Sequence, residues 1–242
     1  MRKDFNWSLL DRYNLYSMLY SLGKEIIGKK IEIKDFQKSI STHIKSHLPV
    51  KVVRRQNDPK QKRGLVYMGG AYYSEYDRHG YTRHIEVVLS YHPDDDKIKL
   101  TEYRWARLCQ IFADTILHEI IHMRQYRSRN FKDIPGYEST AFYHKQRIDQ
   151  EYYGHRDEMG AFSFNIACDM LDKFGWDTRA VSDYLDSKLP NRKLLSVWHR
   201  FLKAFDGNHN HPKVRQMKRK VLKQLEYAYV GKPFHTTNHL TY

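Results

Sequence analysis

The segment His118-Glu119-Ile120-Ile121-His122 lies deep inside a helical pattern that runs from residue 101 to residue 126. Apolar residues recur in this pattern at spacings of three and four, and no proline or glycine interrupts it. The apolar side consists of Trp105, Leu108, Ile111, Phe112, Ile116 and Ile120. The pattern therefore predicts one long amphipathic helix that packs against a core.

The two histidines of this segment are four residues apart, so on a helix they project from one face. Their imidazole nitrogens can then bind one Zn²⁺ at about 2.0–2.1 Å. Glu119 follows the first histidine directly and is expected beside the metal, where a carboxylate can accept a proton from bound water. Because zinc lowers the pKa of that water to about 7, the segment predicts a catalytic metal site with Glu119 as general base.

Chance is the alternative explanation, because the chain contains 14 histidines. In that case His118 and His122 are simply two histidines on a helix face near an unrelated glutamate. The uninterrupted helix around them favours the metal site, since metal ligands need a rigid, packed element to hold them in place.

A catalytic zinc site has three protein ligands and one open position, so a third ligand is required. Glu158 is the first choice among the downstream residues Glu138, His144, Glu151, His155, Asp157 and Glu158. It lies in the first turn of a second predicted helix, residues 157 to about 173, on the side that also carries Ala161 and Phe162. A buried carboxylate needs a partner, and a metal is a suitable one. The alternative is that Asp157 and Glu158 only favour the start of a helix.

This combination of residues resembles the gluzincin branch of the zincin metallopeptidases, in which a glutamate on a second helix completes the zinc site. More narrowly, residues 118–129 and 157–167 look like those of small metallopeptidases of tailed bacteriophages. Two positions depart from the pattern of those proteins: His155-Arg156 stands where proline is usual, and Gly160 replaces a second acidic residue. The resemblance covers about residues 85 to 173. It implies that Glu158 is the third ligand.

The resemblance also implies an α+β, zincin-like fold. In this fold a small twisted sheet packs on the helix that carries His118 and His122, called here the motif helix, and on a second helix that carries the third ligand. Zincins bind extended substrate on an edge strand near the motif helix, and residues 84–91 are the expected strand here. The remaining patterns predict helices at 7–22 and 33–47, strands at 50–54, 65–73 and 84–91, and a linking segment at 128–154.

A histidine is the alternative third ligand. Zincins of the Spartan type, which cleave DNA–protein crosslinks, use a third histidine after the motif, and this chain is basic enough to invite the comparison. His155 ranks second after Glu158, and His144 ranks third. His155 is also predicted as a catalytic residue that donates a hydrogen bond to the oxyanion, with Tyr152 and Tyr153 as rivals for that role.

The formal net charge of +14 is unevenly distributed along the chain. Residues 176–242 contain 13 lysines and arginines against five aspartates and glutamates, a net charge of +8, and residues 213–223 are expected to form a basic helix. A second basic run lies at residues 51–63. These runs indicate that the protein binds nucleic acid through its C-terminal region. The alternatives are a basic surface that contacts only solvent, or a patch that binds an acidic partner. No helix-turn-helix, zinc-finger or aromatic RNA-binding signature accompanies the charge.

The chain of 242 residues is long enough for one large core. We expect a zincin-like domain at residues 1–175 and a basic helical extension at residues 176–242 packed on it. No apolar run is long enough to span a membrane, and the first residues contain no secretory signal. Cys109 and Cys168 are expected to be reduced core residues. The expected compartment is the cytoplasm, of the host cell if the protein is phage-encoded.

Two functional hypotheses follow. The first is a zinc metalloendopeptidase, a hydrolase that uses His118, His122 and Glu158 to hold Zn²⁺ and Glu119 to activate water for attack on a protein or peptide substrate. The second is a basic nucleic-acid-binding or virion-associated protein on a zincin scaffold, with little or no proteolytic activity. An intact Glu119 favours the first hypothesis, because a structural zinc site does not require it.

Overall fold

The computed structural model describes residues 9–44, 48, 50–56, 59–60, 62–138, 144–191 and 195–229. Helices and short strands alternate through the first half of this range, and the second half is helical, so the class is α+β. The elements are α1 Leu9–Tyr20, α2 Gly23–Ile26, β1 Lys30–Glu32, α3 Ile33–Ile44, β2 Val50–Gln56, β3 Val66–Tyr72, α4 Ser74–Arg78, β4 Ile85–Tyr91, β5 Lys97–Lys99, α5 Glu102–Ser128, α6 His144–Gly154, α7 Arg156–Phe174, α8 Thr178–Leu185, α9 Val197–Ala204 and α10 Pro212–Tyr229.

The chain divides into two compact units. The sheet unit is Leu10–Met123, and the helical unit is Arg124–Tyr242 together with Met1–Leu9. Within the helical unit, one hydrophobic cluster contains residues of α7, α8, α9 and α10, so much of the predicted extension packs on the helix that carries Glu158. The predicted domain boundary after residue 175 stays a prediction.

The main sheet of the sheet unit has the strand order β2-β4-β3. β4 is parallel to β2, with Val52 opposite Val87, and antiparallel to β3, with Gly70 opposite Val87. The prediction that residues 84–91 form an edge strand is therefore wrong, because β4 lies in the centre. Burial alternates along β4, as expected for a strand with one buried face. Such alternation in a sequence indicates which face of a strand is buried, but it does not indicate which strands are its neighbours.

Most predicted elements of the sheet unit are present with small shifts at their ends. β2 and β3 are close to the predicted strands, and α5 extends the predicted motif helix to Ser128. The predicted helix at 7–22 ends at Tyr20, and Gly23 begins the short helix α2. The predicted helix ends at Trp7 and His47 lie outside the described residues. The two-stranded pair of β1 and β5 was not predicted, because three-residue strands are too short to show a pattern.

The helical unit differs from the prediction in one place. The expected linking segment 128–154 contains the helix α6, whose sequence has few apolar residues and hence only a weak helical pattern. The predicted helices at 157–173 and 213–223 are confirmed as α7 and α10. The buried residues of α10 include Val214, Met217, Val221 and Leu225, which belong to the hydrophobic cluster of the helical unit.

Both cysteines are buried and free, as predicted. Burial raises the pKa of the Cys109 thiol to about 12, so this residue is unreactive at neutral pH. Within the described part of the chain, no helix is both long enough and apolar enough to cross a membrane.

Candidate metal centre

The helix α5 holds the two motif histidines on one face. Their Nε2 atoms are 3.1 Å apart, and their rings meet edge to face with centroids 4.8 Å apart. Two nitrogen ligands of one tetrahedral zinc ion are separated by about 3.3 Å, given zinc–nitrogen distances of about 2.0–2.1 Å. The separation of the two Nε2 atoms therefore suits two ligands of a single ion.

Glu158 is the third member of the cluster. One ligand atom each from His118, His122 and Glu158 lies within 4.8 Å of the other two. His118 is buried, and the other two residues are half-buried. Two imidazoles and one carboxylate are a donor set that suits a catalytic zinc ion. The structure thus brings together the three residues that the sequence predicted as ligands, and their chemistry fits the metal.

The side chain of Glu119 lies against the strand β3. Its side chain is 7% exposed, and a Cβ atom added to Gly70 would lie 2.7 Å from its Oε1 atom. The same Cβ atom would lie 2.6 Å from a methyl carbon of Thr115. A Cβ atom on the neighbouring Gly69 would meet nothing within 4 Å. Gly70 is therefore the position at which β3 approaches the proposed general base, a contact that sequence reasoning missed.

His155 occupies the N-cap of α7, three residues before Glu158. Its Nδ1 atom accepts a hydrogen bond from the backbone N–H of Asp157 at 3.3 Å. Among the described residues, His155 is not part of the metal-ligand cluster. His144 begins α6, and its side chain lies outside the described residues. The catalytic role of His155 stays a prediction.

His84 of the strand region has contacts outside the metal-ligand cluster. His84 has Nδ1 3.1 Å from the carbonyl oxygen of Tyr81 and Nε2 3.1 Å from the sulfur of Met123. The buried Asp77 lies beside this ring, with 3.8 Å between its Oδ1 and the His84 Nδ1, and accepts a hydrogen bond from Tyr72. Tyr72 at the end of β3, Asp77 in α4 and His84 just before β4 thus form a polar cluster inside the sheet unit, which the sequence did not reveal.

The basic helix α10 directs much of its charge toward its own unit. Lys218 pairs with Asp186, and the ammonium groups of Lys213 and Lys223 lie over the rings of Tyr137 and Tyr227 at 4.5 and 5.6 Å from their centroids. Burial, reinforced by neighbouring cations, lowers the pKa of Lys220 to about 8.

The exposed basic residues of α10 are Arg215 and Arg219, which are one turn apart. A phosphate backbone would therefore meet fewer cations on this helix than its sequence suggests. The nucleic-acid partner stays a prediction.

Comparisons with models of known protein families, with curated proteins and with solved structures found no match to this chain.

Proposed function

We propose that this protein is a zinc-dependent metalloendopeptidase with a zincin-like fold. The observation that carries the proposal is the convergence of His118, His122 and Glu158 within 4.8 Å. The described residues supply three metal ligands, as catalytic zinc sites do, whereas a closed structural site has four. Glu119 follows His118 on the same helix, so the site also has a carboxylate that is not one of the three metal ligands.

The residues of the cluster have separate roles in this proposal. His118, His122 and Glu158 hold the zinc ion, which supplies polarisation of the substrate carbonyl and acidification of water. Glu119 accepts the proton of the attacking water and then passes it to the leaving amine. Burial of Glu119 supports this assignment, because a carboxylate screened from bulk solvent exchanges its proton with the reacting groups rather than with the medium.

The hydrogen bond of His155 supports its proposed contact with the oxyanion. Because Nδ1 accepts from the N–H of Asp157, the neutral imidazole carries its proton on Nε2. Nε2–H is then a hydrogen-bond donor one turn before Glu158. A donor of this kind can stabilise the negative charge that develops on the carbonyl oxygen during attack.

The strand β3 is the proposed substrate-binding edge in place of β4. In the described sheet, β3 pairs with β4 on one side and has no strand on the other. An extended peptide can add to such an edge through backbone hydrogen bonds. Because Gly70 of β3 lies against Glu119, a peptide bound along this strand passes close to the general base.

The proposal is tested by metal analysis and a cleavage assay on the same purified protein. We expect about one zinc ion per chain by mass spectrometry of the metal content. We also expect cleavage of a library of quenched fluorescent peptides that stops when a chelator removes the zinc and returns when zinc is restored. Absence of zinc from a folded preparation reloaded with the metal contradicts the site. Full zinc occupancy without cleavage of any peptide contradicts the enzyme and favours the binding-protein hypothesis.

Replacement of Gly70 by alanine tests the contact between β3 and Glu119. The added methyl group overlaps the Glu119 carboxylate and Thr115, so the glutamate must move. Because a misplacement of about 1 Å can cost roughly 10²-fold in rate, we expect a fall in kcat of that order with unchanged zinc content. Gly69→Ala is the matched control, since its methyl group meets nothing, and it is expected to retain the rate. Equal rates for the two variants contradict the contact.

A further inference from the structure

Asp157, the residue before Glu158, is held by a bidentate ion pair. The Arg129 guanidinium donates from Nη2 to Oδ2 at 2.7 Å and from Nη1 to Oδ1 at 3.1 Å. The two side chains are 16% and 7% exposed, respectively. Paired hydrogen bonds in a largely dry environment fix the orientation of both groups, so this pair is far more restrictive than an ion pair on the surface.

Gln125, a residue of α5, holds the backbone of Asp157. Gln125, which is 6% exposed, donates from Nε2 to the Asp157 carbonyl oxygen at 3.0 Å. Arg129 is itself restrained, because its guanidinium lies 4.0 Å from the centroid of the Tyr126 ring and it also donates to the Lys132 carbonyl oxygen. The first turn of α7 is thus attached to the end of α5 through both a side chain and a main-chain carbonyl.

Gly160 makes this attachment sterically feasible. A Cβ atom at position 160 would lie 2.5 Å from the Nε2 atom of Gln125, closer than real Cβ contacts. A larger residue would therefore displace the amide that binds Asp157. Glycine at this position, where the resembling metallopeptidases have an acidic residue, leaves room for the Gln125 amide.

The attachment continues the face of α5 that carries the metal ligands. His118, His122 and Gln125 follow one another at intervals of four and three residues on one face of α5, and Arg129 comes four residues later, directly after the helix ends at Ser128. We propose that Gln125, Arg129 and Asp157 are positioning residues that orient Glu158 for the metal. This inference rests on the proposed function, because it takes Glu158 to be a zinc ligand.

The test measures zinc affinity rather than activity. Competition with a chromogenic chelator gives the Kd for zinc of the parent protein and of Asp157→Asn, which keeps the size of the side chain and removes its charge. Because groups that orient a metal ligand typically contribute 10–100-fold to metal affinity, we expect the Kd to rise by about 10-fold or more. Arg147→Gln is the matched control, since it breaks an exposed ion pair with Glu151 in the same unit and is expected to leave the Kd unchanged.

A second variant keeps the test decisive if Asp157→Asn does not fold. Gly160→Ala leaves every charge in place and displaces only the Gln125 amide, so we expect a smaller rise in Kd. Gly136→Ala is its control, because a methyl group there meets nothing within 4 Å. A parent protein that binds zinc, with folded variants of equal Kd, overturns the positioning role. A folded parent protein that binds no zinc overturns the proposed function instead.

Discussion

Replacement of Glu119 by glutamine is expected to slow peptide hydrolysis by orders of magnitude while the zinc content stays near one ion per chain. Glutamine has nearly the size of glutamate and cannot accept the proton of the attacking water. General base catalysis contributes typically 10²–10⁴-fold, so the rate should fall by about that factor. Zinc binding should persist, since the three proposed ligands are unchanged. Cleavage of a fluorescent peptide and metal analysis on one preparation measure both quantities.

The control for this variant is Glu102→Gln in the first turn of the same helix. Glu102 is exposed and accepts a hydrogen bond from Tyr20, far along α5 from the metal cluster. Its replacement is expected to leave both zinc content and rate unchanged. Cleavage by Glu119→Gln at the parental rate contradicts the general-base role. Loss of zinc from the same variant shows instead that Glu119 takes part in metal binding.

Replacement of Trp105 by alanine is expected to cause a large loss of stability in the sheet unit. Trp105 is 1% exposed, packs edge to face on Phe36 with centroids 6.1 Å apart, and donates from Nε1 to the Tyr20 carbonyl oxygen at 3.3 Å. Removal of a buried tryptophan side chain leaves a cavity and costs about 3–5 kcal/mol. Urea unfolding followed by far-ultraviolet circular dichroism measures the change in free energy of unfolding.

Tyr103→Ala provides the comparison for this measurement. Tyr103 lies two residues earlier on α5 and is 80% exposed, so its ring contributes little to packing. The expected change in the free energy of unfolding is within about 0.5 kcal/mol. If Trp105→Ala costs no more than Tyr103→Ala, the tryptophan does not anchor α5 in the core.

The long periodic elements could be predicted from the sequence because they depend on local repeats. The apolar residues of α5 and α10 recur with the helical period, and those of β4 alternate. The short strands β1 and β5 and the polar helix α6 were missed, since three residues show no period and a helix with few apolar residues has no marked stripe. Their formation depends on contacts with other parts of the chain.

The order of the strands could not be derived in the same way. Residues 84–91 have the buried alternation of a strand, and the resemblance to zincins assigned them to the edge of the sheet. In the structure they lie between β2 and β3. Alternation is a property of one strand and its two faces, whereas order depends on which backbone hydrogen-bonding edges find partners. The same reason makes β3, and not β4, the proposed site of peptide addition.

The basic helix α10 shows that the sequence also does not indicate which charges are available to a partner. The sequence of α10 records six lysines and arginines between residues 213 and 223. The sequence does not indicate that Lys218 pairs with Asp186 or that Lys213 lies over the ring of Tyr137. Net charge is fixed by composition, but the charge available to a partner depends on which side chains the fold has already engaged.

The amino-acid sequence alone determined the facing histidines and the adjacent Glu119, because a helix repeats every 3.6 residues and residues four apart must share a face. It also singled out Glu158 by its place on a second amphipathic helix. Tertiary structure decided that Gly70 approaches Glu119 and that Arg129 and Gln125 hold Asp157. These contacts join residues between 28 and 49 positions apart along the chain. Such contacts depend on how the elements pack around a shared core, which no short repeat in the sequence specifies.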